Sequence, residues 1–338
     1  MRNIFKHPSL RRALLLSFVA LLFVLTGHRH GLALMALAIT DAQIPALLLP
    51  GVRKLKGEYK QIKTQWSQVY AQGKSEMAVE RTIQMRYLPL PQLKNPGGPT
   101  EFDNLAGQRF VYNHVHVAIG LGYSFTREAL DDNLYRSQFN PANLGLLRSF
   151  RQMKEILGAN TFNVGNVVTP GLGADGVPLF ATQHPVDGFL VPNTPAQQVG
   201  LNENTLMMAN NMIRRFRDNA GLLIGAQGRM LVVPVELRHL AKRIIDDEAR
   251  PGTANRDIES VKENNDLSNG YLAMDFLTSP FAWFVLSDQG GLIYLERKAF
   301  ETSMQVEFTT DNLLIKAYER YYLGYDDWRL GFGSYPLN

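Results

Sequence analysis

QRFVYNHVHVAIGLGYSFT, residues 108–126, is the stretch on which the reading of the fold turns. It is rich in β-branched and aromatic residues and reads as one long strand. Upstream, VERTIQMRYL (79–88) alternates enough to supply a second strand, and KNPGGPTEFDN (94–104) between them is turn material. Residues 76–125 therefore read as a long hairpin. Two strands alone are marginal in water, so such an arm needs a surface to lie on.

Three helices are expected downstream. In LGLLRSFRQMKEILG, Leu146, Phe150, Met153 and Leu157 share one face, and Gly158 is placed to stop the helix. NENTLMMANNMIRRFRDNAG repeats the pattern with Leu206, Ala209, Ile213 and Phe216, ending at Gly221. PVELRHLAKRIIDDEA carries Pro234 in a first-turn position and Leu237, Ala241 and Ile244 on one side. Short strands are expected at MLVV, WFVL and LIYLER, and MQVEFTT with NLLIKAYERYYLGY reads as a closing antiparallel pair. The order is that of an α+β protein with no βαβ unit recurring at regular spacing.

Upstream of the arm, the uncharged block from Ala13 to Gly27 follows Arg2, Lys6, Arg11 and Arg12 and has the outline of a signal or anchor. Its A-x-A triplet, Ala36 to Ala38, lies past Arg29 and beyond a normal cleavage region. From Met35 on, no apolar run is long enough to span a bilayer. IPALLLPG (44–51) reads as an extended or kinked arm because of its two prolines, and Arg53, Lys54, Lys56, Lys60 and Lys63 follow as a basic, solvated face. The net charge of +4 comes largely from this start, which has no acid before Asp41, so charge gives a nucleic-acid-binding reading no support. The absence of cysteine removes disulfide frameworks, thiolate zinc sites and cysteine nucleophiles.

Few residues carry chemistry. GLGADG (171–176) matches G-x-G-x-x-G, but Pro170 precedes it and VPLFATQHP follows, where a dinucleotide site needs a strand and a helix, so it reads as a flexible loop. His114 and His116 point to one face of a strand and form a possible metal-ligand pair without a third ligand nearby. His184 is a candidate general base with no nucleophile elbow to serve. The pairs Asp131/Asp132, Asp246/Asp247 and Asp326/Asp327 are adjacent, so their carboxylates diverge; helix ends or solvated faces suit the first two. No catalytic constellation forms, no cofactor is expected, and the balance moves toward a binding or assembly role.

From about Met35 to its end the chain resembles the major capsid proteins of tailed bacteriophages, in particular the Mu-like head-subunit group with the Hong Kong 97-like fold. The resemblance rests on the order of AQIPALLLPG, MRYLPLPQL, AGQRFVYNHVHVAIGLGYSFTREALDDNLY, PLFATQHP, LVVPVELRHLAKRII and YERYYLGYDDWRLGFGS. It implies an N-terminal arm at 35–75 and an extended hairpin loop at 76–125 that lies across an adjacent subunit. It further implies a peripheral domain at 126–165 and 292–338, with a spine helix from about Asn143 to Leu157, and an axial domain at 166–291. Residues 1–34 are expected to be an upstream extension that is not part of the native subunit.

The function so implied is structural: a non-enzymatic subunit that self-assembles into pentamers and hexamers of an icosahedral phage or prophage head around double-stranded DNA. Its expected partners are its own copies, scaffold, portal and decoration proteins, and packaged DNA through non-specific contact, with no membrane. Its expected place is the virion capsid, assembled in the host bacterial cytoplasm. Some members of the fold crosslink a loop lysine to a neighbour's asparagine; Lys94 is the lysine near the hairpin tip, and no motif here supports that chemistry. Two other readings stand beside this one: an exported or membrane-anchored binding protein that uses the apolar start, and a metal-dependent enzyme that uses His114 and His116.

Overall fold

A computed structural model describes residues 59, 64–85, 87–100, 102, 108–132, 135–168, 174–246 and 267–337. The readings of residues 1–34, IPALLLPG, the lysines after it, the first half of GLGADG and Asp247 lie outside the described residues.

One layer is a four-stranded sheet ordered β1 (Ala71–Lys74), β10 (Leu292–Val306), β11 (Leu313–Tyr325) and β4 (Val117–Phe125). β1 runs parallel to β10; the other two pairings are antiparallel. The closing pair expected from the sequence is β10 and β11. LIYLER and MQVEFTT are one strand, not two, because register shifts between Glu296 and Glu301 absorb the residues that join them. Along β11, Leu313, Ile315, Ala317, Glu319 and Tyr321 are buried at every second position.

The long helix α2 (Tyr135–Asn163) packs on this sheet through Leu146, Leu147 and Phe150, which meet Phe300 and Ala317; the short helix α1 (Arg127–Asp131) precedes it. Gly158 does not end α2, contrary to expectation. It lies inside the helix because a side chain there would collide with a neighbour: a Cβ on Gly158 would sit 2.7 Å from Cβ of Trp66. Tyr70 donates to the Gly158 carbonyl at 2.8 Å. Met153 and Leu157 are only half-buried; the burial stripe runs instead through Phe150, Lys154 and Gly158.

The second layer is the sheet β12 (Gly331–Ser334), β9 (Trp283–Ser287), β7 (Gly228–Pro234) and β8 (Tyr271–Met274). β9 is buried along its whole length. Helix α3 (Glu203–Arg214) opens with a capping box in which the Asn202 and Thr205 side chains each accept the other's backbone N–H at 2.9 Å. It buries Leu206, Ala209 and Ile213 as expected, whereas Phe216 is buried beyond its end. Pro234 closes β7, a short 3-10 turn follows, and helix α4 (Arg238–Asp246) leads to β8, which is parallel to β7. This is a single crossover unit. A small hairpin, β5 (His184–Val186) with β6 (Phe189–Val191), completes this part of the fold.

The expected single strand 108–126 is two strands. β3 (Gln108–Val115) pairs with β2 (Val79–Met85), and β4 pairs with β11. The chain changes sheet at His116, which is buried against Ser75. Gly122 then lets β4 run close to β11: a Cβ there would lie 2.8 Å from the Ile315 carbonyl oxygen.

Candidate functional site: the hairpin arm and its root

The β2–β3 arm has two unlike faces. Glu80, Thr82 and Gln84 alternate inward opposite His114, Tyr112 and Phe110. Tyr112 is buried edge-on to Tyr325, with ring centres 6.3 Å apart, and His114 packs on Tyr322 at 4.7 Å. The inner face thus lies on the end of β11, so the arm's need for a support is met on that side within the chain. The outer face is bare: Ile83 is 42%, Met85 49% and Val115 59% exposed, although Val79 pairs with Val115 and Ile83 with Val111 in apolar rungs. Farther out, Leu90 is 69% and Leu93 fully exposed. These exposed apolar rungs, on either side of the Arg81–Asn113 pair, mark the face as an interaction surface.

At the end of β2, the root of the outer part of the arm (residues 87–100), two side chains tie it to the body. Gln84 Nε2 donates to the Asp326 carbonyl at 3.3 Å, and Asn219 Nδ2 donates to the Met85 carbonyl at 3.0 Å.

His114 and His116 do point to one face. Each is held by a hydroxyl: Thr82 Oγ1 lies 2.9 Å from His114 Nε2, and Ser75 Oγ lies 2.7 Å from His116 Nε2. Ser75 also donates to Glu80 at 2.7 Å. Burial pushes both imidazoles below their ordinary range, aided by His116 at His114 and by Arg320 at His116. Among the described residues no group of three or more histidines and carboxylates is placed to hold a metal ion.

His184 is fully buried, stacked on Trp328 with ring centres 4.3 Å apart and planes 5° apart. Asn193 donates from Nδ2 to the carbonyls of Leu179 and Trp328, and its Oδ1 accepts the Ala181 N–H at 2.8 Å. The same Oδ1 lies 3.1 Å from His184 Nε2, while Asp175 Oδ2 lies 2.7 Å from Nδ1. Both ring nitrogens are taken up by side chains of the fold, Asp175 and Asn193, and neither is left facing a nucleophile. The PLFATQHP stretch is a structural knot.

The acid pairs serve as ends and partners. Asp131 and Asp132 close α1, with Asp131 3.6 Å from Arg127. Asp327 holds Arg329 at 2.9 Å, while burial and the charge of Asp327 raise the Asp326 carboxyl to about 6. Glu155, which no motif marks, accepts the backbone N–H groups of Gln65 at 2.9 Å and Trp66 at 3.1 Å, pinning the incoming chain to α2.

The most charged element of the interior also escaped the sequence reading. Lys154 and Glu319 pair at 2.8 Å between α2 and β11, with Tyr59 donating to the same carboxylate at 3.2 Å. The signal was present in the alternation of β11, which puts Glu319 on the face of Leu313, Ile315, Ala317 and Tyr321.

A two-layer α+β fold with an arm bare on one face is suited to association. A family model described as phage capsid protein matches residues 115–332, and the chain belongs to that family. It is a structural protein of a phage head.

Solved structures with similar folds include the procapsid of bacteriophage JBD30, 17% identical over 89% of this chain and 77% of that one, with a TM-score of 0.46. The capsid of the same phage is 14% identical over 82% and 67%, at 0.43, and the capsid of Myoviridae phage XM1 is 10% identical over 80% and 89%, at 0.46. No protein of curated function matches the chain in sequence. Among the described residues no helix is long and apolar enough to cross a membrane; the anchor reading rests on residues 1–34, outside them.

Proposed function

We propose that the chain is the major subunit of the head, of the Mu-like group with the Hong Kong 97-like fold, and that its copies close as pentamers and hexamers into an icosahedral shell around double-stranded DNA. The observation that carries this reading is the arm, buried on one face by its own chain and bare on the other and at its tip. In a ring each copy meets the next through two different patches, so one arm can cover a neighbour while its base is covered in turn. A shell subunit of this design buries well over the roughly 1,600 Å² of an ordinary interface.

In this reading the sheet of β1, β10, β11 and β4 with helix α2 is the peripheral domain, α2 being its spine. The sheet of β7, β8 and β9, joined by the terminal β12, is the axial domain. Scaffold, portal and decoration proteins are the further partners, DNA contact is non-specific, and assembly takes place in the host cytoplasm.

Deletion of residues 92–101 at the tip tests the arm's role. The polar, exposed tip adds little to the core, so the subunit should keep its thermal unfolding midpoint within a few degrees while assembly is lost. A deletion that unfolds the subunit, or that leaves assembly untouched, contradicts the proposal.

A further inference from the structure

We propose that Asn219 is the latch that fixes the direction of the hairpin arm, and that Arg329 sets this latch by orienting the Asn219 amide; the inference rests on the arm-mediated assembly proposed above. Arg329 is buried, and each of its three guanidinium nitrogens donates a hydrogen bond. Nε donates to the Arg217 carbonyl, at 2.6 Å, and Nη1 to both oxygens of Asp327, at 3.1 and 2.9 Å. Nη2 donates to Asn219 Oδ1 at 2.8 Å.

A guanidinium has no acceptor, so Asn219 must turn its oxygen toward Arg329 and its NH2 group away. That group meets the Met85 carbonyl, at the last residue of β2. Asn219 is itself buried and rides on a fixed turn, in which Asp218 Oδ1 accepts the N–H groups of Ala220 at 2.8 Å and Leu222 at 2.9 Å. Gly221, with φ of 80°, closes the turn. The relay therefore joins the segment before β12, the loop after α3 and the root of the arm.

Met85 is the outermost anchor of the first arm strand. The hydrogen bonds of the described residues 87–100 stay within the arm, as Lys94 to Thr100 and Gly98 to Asn95. Leu93 lies eight residues past Met85, up to roughly 26 Å along an extended chain, so a swing of about 20° at the root would move it by roughly 9 Å. A displacement of that size would take the tip off any fixed patch on a neighbour.

The chain lacks cysteine, so cysteines placed at Leu93 and Phe308, both almost fully exposed, can be spin-labelled specifically in the full-length, unassembled subunit. Pulsed dipolar spectroscopy should give a narrow distance distribution for the otherwise native protein. Asn219→Asp keeps an acceptor for Arg329 but sets a carboxylate oxygen against the Met85 carbonyl. The account expects a broadened or shifted distribution at an unchanged fold, and assembly slowed by about tenfold, the worth of one buried hydrogen bond. If Asn219→Asp does not fold, Asn219→Ala carries the same test without an added charge. A folded variant with the native distribution overturns the latch. Failure of the native protein to assemble would instead count against the capsid reading, with the distance measurement still judging the latch.

Discussion

Lys154 of α2 and Glu319 of β11 form an ion pair at 2.8 Å, sealed between helix and sheet, with the side chains 8% and 1% exposed. Burial raises the Glu319 carboxyl above its ordinary range, and the charge and hydrogen bond of Lys154 oppose that rise. Removing one partner strands a buried charge, so Lys154→Met should destabilise the unassembled subunit by about 3–5 kcal/mol in urea unfolding, whereas Lys154→Met with Glu319→Leu should recover much of the loss. A cost below about 1 kcal/mol for the single variant would show that the pair is solvated.

Two glycines of α2 should respond oppositely to the same substitution. Gly145 is exposed, with nothing within 4 Å of a Cβ, so Gly145→Ala should stabilise by about 0.5–1 kcal/mol through helix propensity. Gly158→Ala gains the same propensity but drives a methyl to 2.7 Å from Trp66, and should destabilise by about 1–3 kcal/mol. Denaturant midpoints of the two variants decide it; equal shifts would mean that Trp66 does not pack on the helix.

Asp326 makes stability depend on pH. Its folded value, about 6, lies above the roughly 3.9 of an unfolded aspartate, so the folded state binds the proton more tightly. Its contribution is complete below about pH 4 and is lost as pH rises through 6. Asp326→Asn should therefore gain stability relative to the native chain at pH 8 but not at pH 4. His114 and His116 act in the opposite sense: their folded values are lowered, so their contribution is present above about pH 6.5 and is lost on acidification. Urea titrations at several pH values separate the two, and a flat Asp326→Asn difference would rule out the burial of that carboxyl.

Much of the fold was legible in the sequence wherever burial imposes a period. The β10–β11 pair, the buried face of α3 and the β2–β3 arm all follow from alternation, helical spacing and turn residues, whereas α3 ends at Arg214, short of the Gly221 expected to stop it. The failures have local causes. Gly158 looks like a stop signal until Trp66, far back in the chain, is seen to require it. The strand at 108–126 gives no hint of its division, because His116 changes sheet within an unbroken alternation. At the arm's root, Asn219 meets Met85 and Arg329 through contacts between segments more than a hundred residues apart, and no spacing rule reaches that far.

The central claim is that this subunit closes into shells through an arm that is bare on one face. Electron microscopy of the overexpressed protein, with light scattering on the same sample, tests it most directly. The account predicts rings or closed isometric particles that form as concentration rises, alone or with the scaffold. A chain that stays monomeric under every assembly condition, scaffold included, would contradict it.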